Sequence, residues 1–257
     1  MLRDFSKESF DIIIQAGQSN AEGYAFGDVD NPYEQNNRVY YLNGDFSISE
    51  AAERVAGNGV QSNFSLSFAR EYMKAGYLKE GRSLLIVRAA VGGTGFIDGH
   101  WKTEDELYIR MINMTKTALE LNPDNRLIAL LWHQGESDAD FEVPIQSELH
   151  YNHFSTLVKS VKETFNVPDL PFVAGDFVHH WKNANIEKCI PVVDAMRAVC
   201  RDLSCGGFVE TDGLLSNLQE TPVHPLGWEG DSVHFSRHAI YELGVRYFEA
   251  YEKIVRR

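Results

Sequence analysis

Positive charge is scarce in this 257-residue chain: 24 lysines and arginines stand against 37 aspartates and glutamates, a formal net charge of −13. A field of that sign repels phosphate backbones, which argues against a nucleic-acid partner and favours neutral over strongly anionic substrates. Long apolar runs are missing as well. None approaches the roughly 20 residues that cross a bilayer, so no membrane partner is expected. The opening MLRDFSKESFDIII puts acidic residues where a secretory signal needs an unbroken apolar segment, and the expectation is a cytoplasmic protein. Cysteine is limited to Cys189, Cys200 and Cys205, an odd number without a Cys-x-x-Cys pair; free, mostly buried thiols are expected rather than a disulfide framework or a zinc knuckle. His133, His179, His180 and His224 lack the helix spacing of a metal motif and read as structural or partly exposed. Internal repeats, low-complexity segments and linkers are absent too, and no pattern specifies an oligomeric state.

What is present is the composition of a globular protein, 44% hydrophobic and 24% charged. The length is near the upper end for one hydrophobic core, so a single domain over residues 1–257 is expected. Ile12–Ile14, Arg38–Leu42, Leu84–Val91, Leu127–Trp132, Pro171–Ala174 and Phe208–Val209 read as strands. Between them lie segments with helical spacing: Phe64 to Leu78, Leu107 to Leu121, Phe154 to Phe165, Ile190 to Cys200, and a last helix from about Ile240 to Ile254 with Ser236 as its N-cap. Strands alternating with helices indicate a parallel sheet covered on both faces.

Three of the apolar strands end in polar clusters: Gly17-Gln18-Ser19-Asn20, Gly92-Gly93-Thr94-Gly95, and His133-Gln134-Gly135-Glu136-Ser137-Asp138. Open α/β sheets bind ligands at the carboxyl ends of their strands, so these clusters converge. A serine on a tight turn can be a nucleophile once a base takes its proton and a carboxylate orients that base. Asp231 and His234, three apart in a loop before the last helix, can supply both. Oxyanion donors are available in the Ser19 N–H, the N–H of Gly93 or its neighbour Gly92, and the Gln134 side-chain amide. Each cluster also has a plainer reading: Ser19 as a helix cap, the glycines as a turn, Gln134 as a strand-end polar residue and Asp-x-x-His as a capping loop. Glu136 and Asp138 read as loop scaffold rather than a glycosidase pair. Trp101 reads equally as a wall against a sugar or as a core aromatic.

Together the segments resemble the SGNH hydrolase superfamily, in particular the branch with carbohydrate esterase family six and the sialate O-acetylesterase-like domains. Gly17-Gln18-Ser19-Asn20 is similar to that branch's nucleophile block, Gly92-Gly93-Thr94 to its glycine block, Trp132 to Asp138 (WHQGESD) to its third block, and Asp231 with His234 to the closing acid and base. The four occur in order from about residue 10 to residue 250. The resemblance implies a three-layer αβα sandwich around a five-stranded parallel sheet and a Ser19–His234–Asp231 triad. It also implies an oxyanion hole of Ser19, Gly93 and Gln134, the last replacing the asparagine usual in the superfamily. Gln18, Asn20, Gly92, Thr94, Trp101 and Glu136 are candidate substrate-binding or supporting residues. The implied reaction is hydrolysis of O-acetyl esters on carbohydrate, with no metal or organic cofactor. A glycan-binding protein on the same fold, or a lipase or thioesterase of the wider superfamily, are the alternatives.

Overall fold

The run Ile12–Ile14 forms the middle of β1 (Ser9–Gly17), and its residues face alternate sides: Ile12, Ile14 and Ala16 enter one apolar core, Ile13 the other. A strand buried on both faces needs apolar residues throughout, which is why the sequence shows a continuous run rather than an alternation. The computed structural model describes residues 4–257 apart from 58, 144, 222, 224–226 and 228. His224 and parts of the 213–230 loop therefore lie outside the described residues.

After β1 the chain forms α1 (Ser19–Glu22), β2 (Val39–Leu42), β3 (Ile48–Glu50), the hairpin β4 (Arg54–Ala56) and β5 (Gly59–Gln61), and α2 (Phe64–Lys74). It continues through β6 (Arg82–Arg88), α3 (Glu106–Glu120), β7 (Arg126–His133), α4 (Glu136–Ala139), α5 (Ser147–Thr164) and β8 (Phe172–Gly175). The remainder is α6 (His179–Ala184), α7 (Ile186–Asp202), β9 (Gly206–Val209), α8 (Asn217–Glu220) and α9 (Arg237–Val255). The strands order as β3-β2-β6-β1-β7-β8-β9. Every neighbouring pair is parallel except β2 with β3. The expected αβα sandwich is present, and among the described residues its sheet is wider than five strands, with seven. Part of the difference is β3, whose three residues Ile-Ser-Glu are too short and too exposed to register as a periodic signal.

Residues of α3, α5 and α7 share one core with β1, including Met111, Phe154, Val192 and Met196. Residues of α2 and α9 form the other, with Phe64, Phe68, Leu243 and Tyr247. Burying an aliphatic or aromatic side chain of this size contributes about 1.5–3 kcal/mol, so these two layers hold the strands in register. Ser236 caps α9, accepting from the Ala239 N–H at 3.1 Å. The three cysteines are free, with Cys189 and Cys200 buried and Cys205 half-buried. Among the described residues no helix is long and apolar enough to cross a membrane. The chain passes from the β2/β6 side of β1 to the β7 side at β1 itself, so the crevice at the carboxyl end of this strand is the topological switch point.

Candidate active site

Gly17 ends β1 at φ 127°, and a Cβ there would lie 2.0 Å from the His133 carbonyl oxygen. Glycine is required, because β7 passes this close: the Gln18 N–H donates to that same carbonyl at 2.9 Å. The chain then turns into α1, whose N-cap is Gln18, not Ser19. Ser19 is the first helical residue, so its N–H has no intrahelical acceptor.

The Gln18 side chain holds the third block in place. Its Oε1 accepts from Ser137 N at 3.0 Å, Gly135 N at 3.3 Å and Gln134 Nε2 at 3.4 Å. Asn20 joins three segments: Nδ2 donates to Glu136 Oε1 at 2.7 Å and to the Val233 carbonyl at 3.0 Å, and Oδ1 accepts from Phe235 N at 3.1 Å. It thereby clamps the residues on either side of His234. Glu136 is fully buried; burial pushes its carboxyl up, and the Asn20 amide only partly opposes this.

Asp231 Oδ1 lies 3.0 Å from His234 Nδ1 and accepts from the main-chain N–H of His234 at 2.7 Å and of Val233 at 3.0 Å. Burial acts to raise the Asp231 carboxyl, but the His234 ring and main chain, together with Asn217, outweigh it and hold the carboxyl below its ordinary value. A carboxylate so placed fixes the ring with Nδ1 protonated and Nε2 free to accept. The main-chain N–H groups of Asn217 and Leu218, at the start of α8, bind the carbonyls of His234 and Asp231 at 2.9 and 2.8 Å. Tyr24 stacks on the His234 ring, centroids 5.2 Å apart and planes 20° from parallel.

Ser19 and His234 line one cavity of about 360 Å³, together with Gln18, Tyr24, Gly93 and Trp181. No direct hydrogen bond joins the Ser19 hydroxyl to the ring; such contacts commonly tighten when substrate binds. Gly93, at φ 70° with open space where a Cβ would go, has an N–H without a partner among the described residues. The Gly92 N–H is already taken by Glu22 Oε2 at 2.7 Å. The arrangement can therefore present a hydroxyl, an oriented imidazole and two main-chain donors to an ester carbonyl. A larger cleft of about 490 Å³ between β9 and α9 contains no serine, cysteine or histidine in its lining.

Not all the expected residues meet there. Gln134, expected as a third oxyanion donor, is completely buried and absent from the cavity lining. Its Nε2 is taken up by Asp138 Oδ2 at 2.9 Å and the Thr94 carbonyl at 3.3 Å, because Asp138 comes round one helical turn later on α4. Asp138 Oδ1 in turn accepts from Phe96 N and Ile97 N, both at 2.9 Å, tying the third block to the glycine block. Trp101 is a core aromatic, edge-on to Trp132 with centroids 5.1 Å apart, and its Nε1 donates to Thr94 Oγ1 at 2.9 Å. Thr94 thus braces the glycine turn, its hydroxyl donating to the Val91 carbonyl at 2.7 Å. His133 is buried with Nδ1 facing the Tyr247 hydroxyl at 2.9 Å, and burial lowers its pKa to about 3. Tyr24, Trp181, Glu22 and Asn217 were not singled out by the sequence. Asn217 alone left a local trace, following Ser216 in a capping box.

The αβα layers around a mostly parallel sheet are those that the resemblance to the SGNH hydrolases implied. The chain matches the family described as carbohydrate esterase, sialic acid-specific acetylesterase, over residues 9–253, and it belongs to that family. It is similar to a probable 9-O-acetyl-N-acetylneuraminic acid deacetylase of Escherichia coli K12, 25% identical over 139 residues that cover 46% of this chain and 42% of that one. It is also similar to a probable carbohydrate esterase of Arabidopsis thaliana, 26% identical over 65% of this chain and 54% of the relative. These alignments span about half the length of the curated relatives. Among solved structures, NanS superposes with a TM-score of 0.82 at 20% identity, covering 97% of this chain and 98% of the other. An Arabidopsis thaliana protein gives 0.72 at 23% identity over 95% and 98%. Both show the fold.

Proposed function

We propose that this chain is a serine esterase that removes O-acetyl groups from carbohydrate. The observation that carries the reading is the meeting on one cavity of Ser19, the Asp231-oriented His234 and the Ser19 and Gly93 N–H groups, which have no partner among the described residues, in a chain of the acetylesterase family. Ser19 Oγ attacks the ester carbonyl while His234 Nε2 takes its proton; the oxyanion forms against the Ser19 and Gly93 N–H groups. His234 returns the proton to the leaving sugar hydroxyl, water attacks the acyl-enzyme with His234 again as base, and acetate departs. Asp231 keeps the imidazole in the useful tautomer and stabilises its charged form. Gln18 Nε2, unpartnered among the described residues, is a side-chain donor available to the substrate, whereas Gln134 is scaffold. Tyr24 and Trp181 give the cavity aromatic walls.

The name of the Escherichia coli relative makes 9-O-acetylated N-acetylneuraminic acid the first substrate to try, beside acetylated xylo-oligosaccharides. Acetate release is measured from both and from 4-nitrophenyl acetate, for the parent and for Ser19→Ala at matched folding. The expected result is turnover by the parent and a loss of at least about a thousandfold in Ser19→Ala. Equal activity of the two proteins, or an inactive parent that still binds acetylated sugar, would move a non-catalytic glycan-binding role to the front.

A further inference from the structure

Asp231 holds the His234 ring at one nitrogen. The same Oδ1 also takes the main-chain N–H groups of Val233 and His234, and the carboxylate is 40% exposed. A ring tied at a single nitrogen can still swing about that bond, and the swing carries Nε2 toward or away from Ser19. What meets the face of the ring is Tyr24, with centroids 5.2 Å apart and planes 20° from parallel.

A turn and three contacts fix Tyr24. Gly23 ends α1 at φ 116°, and a Cβ on it would stand 3.0 Å from the Ser62 carbonyl oxygen, so the chain bends tightly against the end of β5. The Ser62 N–H donates to the Ala25 carbonyl at 2.8 Å. Asn217 Nδ2 donates to the Tyr24 carbonyl at 3.1 Å and lies 3.5 Å from Asp231 Oδ2, so Tyr24 and Asp231 share one anchor. Arg54, on β4, places its guanidinium 5.6 Å from the Tyr24 centroid while its Nε donates to Gln61 Oε1 at 3.1 Å. The Tyr24 hydroxyl approaches the glycine turn: a Cβ on Gly92 would stand 3.4 Å from it and 3.5 Å from the Ser19 Cβ. One ring thus spans the distance from the imidazole to the turn beside Ser19.

We infer that Tyr24 is a positioning residue: its ring fixes the plane of the His234 imidazole, keeping Nε2 aimed at Ser19, and its π face stabilises the imidazolium formed when the Ser19 proton is taken. The inference rests on the esterase reading and adds a residue to it. The imidazole is neutral before the attack and charged during it, so the cation–π attraction is gained in the transition state and acts on kcat. A wall that only bounded the substrate would act on KM instead.

The test measures kcat and KM on 4-nitrophenyl acetate and acetylated xylo-oligosaccharides for the parent, Tyr24→Phe, Tyr24→Leu and Tyr24→Met at matched folding. It also follows the rate at which a small fluorophosphonate labels Ser19, a reaction that uses the Ser19–His234 pair without any sugar contact. Tyr24→Leu and Tyr24→Met keep bulk without a π face. Each is expected to lower kcat about tenfold to a hundredfold on both esters, with KM within about threefold and labelling slowed in parallel. Tyr24→Phe keeps the ring and is expected to retain kcat within about threefold. Leu and Met variants with the parent's kcat and labelling rate, whatever their KM, overturn the inference and leave Tyr24 a wall. A Tyr24→Phe protein as slow as Tyr24→Leu assigns the effect to the hydroxyl and overturns it as well. Both of those outcomes leave the esterase standing, whereas a parent inactive on every ester and unlabelled removes the esterase reading and the positioning role together.

Discussion

The two ends of β1 are built on opposite principles. At its start Asp11 is completely buried, yet both carboxylate oxygens are paired: Arg82 Nε at 2.6 Å, Arg126 Nε at 2.7 Å and the Tyr72 hydroxyl at 2.8 Å. Burial acts to raise this carboxyl, and those partners outweigh it and hold it down. At the other end, eight residues on, the neighbourhood of Ser19 contains buried polar atoms with no hydrogen-bond partner among the described residues: His133 Nε2, Gln134 Oε1 and Glu136 Oε2. Each such atom costs about 1–3 kcal/mol relative to a paired one. The paired Asp11 at the opposite edge carries no such cost.

The comparison is broken most completely at Asp231. Asp231→Asn is expected to lower kcat on acetyl esters by about 10³–10⁴-fold with little change in unfolding free energy, since the half-exposed amide keeps its main-chain contacts while the ring loses its orienting carboxylate. Steady-state kinetics beside urea unfolding separates the two effects. Asp11→Ala should do the reverse. It removes the carboxylate shared by Arg82, Arg126 and the Tyr72 hydroxyl and is expected to cost on the order of 3 kcal/mol of stability, with kcat per folded molecule unaltered. An Asp11→Ala protein that unfolds at the parent's urea midpoint would show that this end is not the anchor described.

Asn20 lies between these extremes, because it is both buried and tied to the segment around His234. Asn20→Ala is predicted to lower kcat about tenfold to a hundredfold and stability by about 1–3 kcal/mol, leaving Glu136 and Phe235 N without their partner. If kcat is kept while stability falls, Asn20 is only a brace. The smallest effect concerns pH. His133 titrates at about 3 in the fold against an ordinary value near 6.5, so below about pH 6.5 the unfolded chain binds a proton that the native state refuses. Stability is therefore lost as pH falls through that window, by about 2 kcal/mol at most between pH 6.5 and 5. His133→Gln is expected to flatten this slope in denaturation series at pH 7 and pH 5, whatever its effect on absolute stability. An unchanged slope would assign the acid sensitivity to the carboxylates instead.

Much of this architecture is legible in the chain. Continuous apolar runs such as Leu84–Val87 and Leu127–Trp132 are what a strand buried on both faces requires, and the three/four spacing of Leu107, Met111 and Met114 is what one covering helix requires. Gly17, Gly92 and Gly93 mark where the backbone must turn. The short antiparallel β3 and the hairpin of β4 with β5 escape because three-residue strands have no period to detect. Tyr24, Glu22 and Asn217 escape for another reason: their partners are His234, Gly92 and Asp231, and only the fold brings these together.

The sequence by itself determined the longer buried strands and where their glycine ends fall, because burial and turn formation depend on residues near one another along the chain; the joining of Ser19 with Asp231 and His234 was implied by the resemblance of the four blocks taken together. The tertiary structure decided which donors are available: Gly92 is spent on Glu22 and Gln134 on Asp138, while the N–H groups of Ser19 and Gly93 have no partner among the described residues. That choice rests on tenths of an ångström between segments as many as 215 residues apart, such as Asn20 and Phe235, and hydrogen bonding at that range leaves no local pattern to read.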